Sequence, residues 1–409
     1  MVISTADGAS TALEAVSPRQ PQIHINHAST MRIAIVHSYY SSTQPSGENF
    51  AVDLQAEALR QAGHQVELFS VTSDDEIGDA WELARTATRV ATGFGRNPSR
   101  ALTRFSPDVV HVHNLFPNFS QNWLLGWQGP VVATIHNYRT VCAAGSLFRD
   151  GRECDSCFMH GTQEAVRHRC YRNSAIATLP LAVATRSRGS RNAVLRRADK
   201  LIFLSARARS KLSGMQPSIA SGSSEIVPNF VGVQPESPLD RRPGESWVYC
   251  GRLSPEKGAS ELVEAWASGQ RLDIIGDGPD RLRIERAAAG KNIRVLGGVS
   301  PLEAGRLIAG AKGLVFPSLW EEPAPAMSYL QALSAGVPTI ALEGNAVADD
   351  VAAHETGVVV SDLAQVNDWL SREDEVQHWG AHARQRFEHA FSKEAWLLRI
   401  TQVYKELVP

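Results

Sequence analysis

Cysteine is scarce. The chain has five, Cys142, Cys154, Cys157, Cys170 and Cys250, among 409 residues, too few for a secreted fold held together by disulfides. No run reaches the ~18 apolar residues that a membrane span needs. Residues 1–30 lack a basic start followed by an apolar core, so they read as a polar extension and not as a signal peptide. Neither sign of charge is in excess, with 41 Lys+Arg against 43 Asp+Glu and a net charge of −2. Without a global basic excess, nucleic acid is not expected as a partner. These absences point to a soluble chain in the cytoplasm.

What is present is a globular composition, 43% hydrophobic and 21% charged. A chain of this length exceeds what one core usually holds, so two domains are expected. Folding begins at Met31. Arg32–Val36 is a short continuous apolar run, the pattern of a strand buried on both faces. Val52, Ala56 and Leu59 then recur at helical spacing, and Gly63 ends that helix. Further strands are expected at Val66–Phe69, Val109–His113, Val131–His136 and Leu201–Leu204. Residues 231–246, rich in Pro, Gly and charge, read as a linker. A second series follows, with strands at Trp247–Tyr249, Leu272–Ile275, Arg294–Leu296, Gly313–Phe316, Thr339–Ala341 and Val358–Val360. Strands alternating with helical stretches give an α/β chain of two Rossmann-like βαβ domains, 31–230 and 247–409, facing each other across a cleft.

Two segments carry most of the chemistry. Gly251–Gly258 (GRLSPEKG) follows a strand directly. Ser254 and Pro255 are placed to start a helix. Arg252 and Lys257 would then converge with free N–H groups on a phosphate, since a cation in a first helical turn is otherwise unfavourable. Two solvated surface cations would give the same sequence. The second segment, Phe316–Gln331, runs from a strand through an acidic loop into a helix. Pro323 and Pro325 cannot donate, whereas Ala326, Met327 and Ser328 can. Glu322 is a carboxylate acceptor for sugar hydroxyls, or an acid that merely complements the helix dipole.

Together with Ile275–Pro279 (IGDGP), Val295–Gly298, Asp108–Asn114 (DVVHVHN), Thr134–Tyr138 (TIHNY) and Val227–Val231 (VPNFV), these segments occur in an order that resembles the family 4 nucleotide-sugar glycosyltransferases, with the GT-B fold. The resemblance covers nearly everything from Met31 onward. It implies a retaining transfer from a nucleotide-sugar, with UDP the usual nucleotide, to a hydroxyl acceptor, and no metal for catalysis. It makes 31–230 the acceptor domain and 247–409 the donor domain, with the final helix packing back on the former. Arg252 and Lys257 match the pair that neutralises the donor diphosphate. Glu322 matches the first acid of the E-x7-E signature, and Gly47 the loop glycine that lets backbone approach the donor. His136 matches the histidine that reaches the donor sugar. Gly276, Ala326 and Met327 complete the donor contacts. The sequence departs from the pattern at the second acid, where Gln331 stands, with eight residues between it and Glu322 instead of seven. A neutral amide holds ribose hydroxyls less strongly than a carboxylate. A cleft that binds without catalysing therefore stays open, as does a sugar-nucleotide epimerase on the same fold. His111 and His113 read as packed strand histidines or acceptor contacts.

The segment 142–170 is an insert in the first domain. Cys142-x11-Cys154-x2-Cys157-x12-Cys170 has one metal-knuckle pair and two further thiols, the material of a structural zinc site. An iron–sulfur cluster fits less well, and reduced thiols or two disulfides are the plain alternatives. Between Arg167 and Lys200 lie nine Arg/Lys and one acid, Asp199, around the apolar run Ala175–Ala184. That pattern suits peripheral contact with an anionic membrane, or a core helix with a solvated basic end.

Overall fold

The computed structural model describes residues 30–40, 46–76, 80–186, 191–216, 219, 222–232, 244–267 and 269–408. All but the last residue of the expected 1–30 extension, residues 233–243 of the linker, and Arg188 of the basic stretch lie outside the described residues.

Ile33 to Ser38 are all buried, so β1 (Arg32–Tyr39) is covered on both faces, as its unbroken apolar run requires. Its inward sets alternate. Ala34 and Val36 join one core with Val110, Val112 and Phe203, whereas Ile33 and Ile35 join another with Val52, Leu59 and Val109. After β2 (Gln65–Thr72), β3 (Val109–Asn114) and β4 (Val131–Ile135), a short hairpin, β5 (Phe148–Arg149) with β6 (Arg152–Glu153), interrupts the series. β7 (Lys200–Phe203) and β8 (Ser224–Ile226) complete a parallel sheet of order β2-β1-β3-β4-β7-β8. The sequence reading missed β8, a three-residue edge strand without an apolar run.

The second sheet holds β9 (Ser246–Cys250), β10 (Arg271–Ile275), β11 (Ile293–Gly297), β12 (Leu314–Phe316), β13 (Thr339–Leu342) and β14 (Gly357–Val360). It too is parallel, in the order β11-β10-β9-β12-β13-β14. In each sheet the strand order reverses beside the first strand, between β1 and β3 and between β9 and β12. Ligands of open α/β sheets bind beyond the carboxyl ends of strands at such reversals.

The helix Lys393–Lys405 follows the second sheet in sequence but packs on the first. Trp396, Leu397, Ile400, Val403 and Tyr404 lie in one core with Met31, Ile33 and Val109. The Tyr404 hydroxyl meets His111 Nδ1 at 2.7 Å.

Candidate functional site

Both loops that leave the second reversal carry the expected residues. The loop after β9 starts a helix at Ser254, but a single 3-10 turn instead of the α-helix. Pro255–Lys257 is a 3-10 turn, the Ser254 hydroxyl donates to Glu256 Oε1 at 2.6 Å, and the α-helix begins only at Ala259. The physical reason is Gly258. It takes a left-handed φ of +69°, and a β-carbon there would lie 2.1 Å from the Pro317 carbonyl oxygen. The turn is therefore pressed against the loop after β12. This sets Lys257 against Glu322, Nζ to Oε1 2.5 Å, with the ammonium also 5.2 Å from the Trp320 ring centre. Ser318 donates a second hydrogen bond to the same carboxylate oxygen, at 3.0 Å. Arg252 is exposed and forms no side-chain hydrogen bond or ion pair with a described residue.

The helix Met327–Ser334 opens beside this pair. Ala326 is its N-cap, with no side-chain cap, so the amides of the first turn face outward. Gln331, one turn in, is buried and donates from Nε2 to the Pro301 carbonyl at 2.9 Å. Its donor end thus joins two helices, and Oε1 is what remains for a hydroxyl. Gly276 has φ +143°, and a β-carbon on it would lie 1.8 Å from the Gly251 carbonyl oxygen, so it keeps the loops after β9 and β10 in close contact.

The first domain supplies the facing side. Gly47 begins the helix Gly47–Gln61, and a β-carbon on it would reach Met327 Cγ at 3.4 Å. The two expected donor-contact residues therefore meet across the cleft. His136, half-buried just past β4, holds His113 Nδ1 through its own Nε2 at 2.9 Å. Burial lowers the pKa of His136 and of His111 to about 3 and that of His37 to about 4, so all three are neutral at pH 7. His111 has both ring nitrogens engaged, by Tyr404 and by Thr134 Oγ1 at 2.8 Å. It is a packed strand histidine.

Two residues that sequence reasoning passed over belong to the cleft. Glu48, next to Gly47, has Oε2 facing the Asn137 amide at 3.4 Å and a buried Oε1 without a hydrogen-bond partner among the described residues. Burial raises its carboxyl to about 7, against the opposing pull of Arg139. Glu321 turns away from its neighbour Glu322 toward the first domain, where Lys211 Nζ lies 2.6 Å from it and Arg207 3.8 Å. Ser205 donates to the Pro323 carbonyl at 3.0 Å, and Trp320 packs on the first domain's core. Adjacent acids thus serve opposite sides, Glu322 the site and Glu321 the domain contact. The pair Glu321-Glu322 was the available signal.

The basic stretch is less uniform than its composition suggests. Arg197 donates to the carbonyls of Trp127 and Gly129, and Lys200 is buried against Glu406 at 2.8 Å, so these two cations are structural. Arg167, Arg169, Arg172, Arg186, Arg191 and Arg196 are exposed. The helix Ala175–Ala184 buries Thr178, Leu181 and Ala182 but leaves Ile176, Leu179 and Val183 exposed. No described helix is long and apolar enough to cross a membrane.

Two family models match the chain, "Glycosyltransferase Family 4" over residues 46–234 and "Glycosyl transferases group 1" over residues 240–386. A GDP-mannose-dependent alpha-(1-6)-phosphatidylinositol dimannoside mannosyltransferase of Mycobacterium tuberculosis is 34% identical over 113 residues, which are 26% of this chain and 29% of that protein. Among solved structures, sucrose-phosphate synthase from Thermosynechococcus elongatus superposes with a TM-score of 0.65 at 19% identity, covering 92% of this chain and 98% of that one. Anabaena HepE in complex with UDP-glucose gives 0.59 at 15%, over 92% and 100%. WaaG, a glycosyltransferase involved in lipopolysaccharide biosynthesis, gives 0.58 at 15%, over 92% and 99%.

Proposed function

The chain belongs to the glycosyltransferases, of family 4 type with the two-domain GT-B fold, its matched segments running from residue 46 to residue 386; from that premise we propose that it moves a sugar from a nucleotide-sugar to a hydroxyl-bearing acceptor with retention at the anomeric carbon. The observation that carries this reading is the contact between Lys257 and Glu322 at the strand-order reversal of the second sheet, beside the uncapped helix start at Ala326 and opposite Gly47.

A diphosphate seated there would draw on Lys257, Arg252 and the amides of Met327 and Ser328, and sugar hydroxyls would donate to Glu322. The bond from the anomeric carbon to the phosphate oxygen breaks as the acceptor oxygen bonds to that carbon on the same face. The acceptor's proton passes to the departing phosphate oxygen. Charge builds on the leaving group, where fixed cations and amides stabilise it most. These groups supply the charge compensation, so the proposal includes no catalytic metal.

UDP is the nucleotide we favour, since the fold neighbour HepE binds UDP-glucose. The mannosyltransferase match makes a GDP-sugar the competitor. A thermal-shift panel of UDP-, GDP- and ADP-sugars decides between them, because a ligand bound only by the folded state raises Tm. Gln331, with its amide on Pro301, favours the second reading, a cleft that binds without catalysing. Release of free sugar or transfer to an acceptor by the purified chain supports the first reading. Donor binding without turnover supports the second, and an epimer formed without acceptor would move the chain to the epimerases.

We take the protein to work in the cytoplasm against an anionic membrane. Ile176 is 86% exposed and Leu179 54%, a helical stripe bordered by exposed arginines. Sedimentation with phosphatidylglycerol vesicles, but not with phosphatidylcholine vesicles, and its loss at high salt, is the expected result. No sedimentation at low salt would remove the membrane contact.

A further inference from the structure

Four of the five cysteines come together in the insert. Cys142 lies in the turn after TIHNY, Cys154 follows the β5–β6 hairpin, Cys157 is in the helix Ser156–His160, and Cys170 follows the helix Gln163–Arg167. All are free thiols, and all line one small cavity of about 20 Å³. That is room for about one water-sized body. Buried free cysteines usually pack as small hydrophobes against close-packed neighbours. These four are half-buried, and although Cys142, Cys157 and Cys170 also pack against apolar clusters, all four border the same gap.

We propose that this gap is a structural zinc site, with Cys142, Cys154, Cys157 and Cys170 as the four ligands. The surroundings favour sulfur as a ligand. Arg149 lines the same cavity as the four thiols, a cation beside groups that would be thiolates. The local backbone also needs a fastening. Leu147, Asp150 and Arg169, none of them glycine, take left-handed φ angles of 52°, 53° and 51°. Such conformations persist only where the surroundings over-determine them. The buried apolar residues of the insert's own cluster are few, Ala143, Ala165, Leu181 and Ala182. A metal bond would supply what this small core lacks.

Zinc holds sulfur at about 2.3 Å, which sets tetrahedral thiolates about 3.8 Å apart. Among the described residues, the only trio of such ligand atoms within 4.8 Å of one another is Glu355, His378 and His382, near the surface. No three of the four sulfurs lie within 4.8 Å of one another, so zinc would draw them inward into the gap. The site is separate from the proposed donor cleft, so the inference stands or falls independently of the transferase reading.

Metal analysis of the full chain, purified without added metal, is the test. We expect about one zinc per chain, X-ray absorption that shows four sulfur neighbours, and loss of the metal in the Cys154→Ser, Cys157→Ser double variant. Should that variant fail to fold, cobalt substitution of the unaltered chain still gives a readout, since tetrahedral thiolate cobalt has an intense sulfur-to-metal absorption. Under about a tenth of an equivalent of zinc, with all four thiols reacting freely with a disulfide reagent, would overturn the proposal. Iron in place of zinc, or zinc retained by a folded double variant, would overturn it equally.

Discussion

The Lys257 ammonium and the Glu322 carboxylate meet at 2.5 Å between the loops that leave β9 and β12. Without a ligand they neutralise one another, and a donor would insert its phosphate beside one and its hydroxyls beside the other. Lys257→Ala should lower turnover roughly 10²–10³-fold, the scale for losing one preorganised donor. It also leaves Glu322, 5% exposed, with Ser318 as its remaining described donor, and should cost about 1–3 kcal/mol of stability. Arg252→Ala provides the contrast. Its side chain is exposed and unpaired among the described residues, so stability should stay within about 0.5 kcal/mol while turnover falls. Initial rates and urea unfolding on both variants check this, and turnover near that of the unaltered chain in both would remove the assignment.

Glu321 and Glu322 should separate cleanly by substitution. Glu321→Gln weakens the ion pairs to Lys211 and Arg207 across the domain contact. It should lower stability by about 1–3 kcal/mol with nucleotide affinity unchanged. Glu322→Gln should do the reverse in kind, with a large loss of turnover. Calorimetric melting together with nucleotide titration distinguishes the two patterns.

Restoring a family-like acid at position 331 should not be silent. A carboxylate in Gln331→Glu cannot donate to the Pro301 carbonyl and would face it at the 2.9 Å that now separates the amide from it. The free protein should lose about 1–3 kcal/mol. Nucleotide should recover part of that loss by offering ribose hydroxyls, seen as a larger ligand-induced rise in Tm than in the unaltered chain. An equal rise in both would show that position 331 does not meet the ribose.

Glu48 gives a pH signature. Its folded pKa is raised from 4.5 to about 7, chiefly by burial. The folded state therefore holds a proton that the unfolded chain has released. Stability from this group is complete below about pH 4.5 and is lost as pH rises through 7. The buried histidines act with the opposite sign, because their lowered pKa values make them stabilising above about pH 6.5 and cost stability as pH falls toward 4. Comparison with Glu48→Gln isolates the carboxyl. The variant should gain Tm over the unaltered chain progressively between pH 4.5 and 7, and a gap that does not change with pH would contradict the burial.

Most strands were legible because parallel strands covered on both faces advertise themselves as unbroken apolar runs, as in Ile33–Val36 and Leu314–Phe316. β8 was not, because Ser224-Glu225-Ile226 sits at an edge and has no such run. Lys257 and Glu322 were picked out separately, but not their contact, which depends on Gly258 bringing two loops within reach. The helix start expected at Ser254 is there only as a 3-10 turn for the same reason: capping chemistry is local, and the Pro317 carbonyl that the turn packs against is not. Glu48 was invisible to pattern, since nothing in sequence marks a carboxyl that the fold will bury.

The bond from His111 to Tyr404 joins the third strand to a helix some 290 positions later. During synthesis the first sheet therefore leaves the ribosome unfinished, with Ile33, Val109 and their neighbours lacking the part of their core that Trp396, Ile400 and Tyr404 supply until the second domain has been made. Chaperone dependence, and sensitivity to nonsense mutations near the end of the message, should track that delay. Loss of the last helix would damage the half of the protein that was translated first.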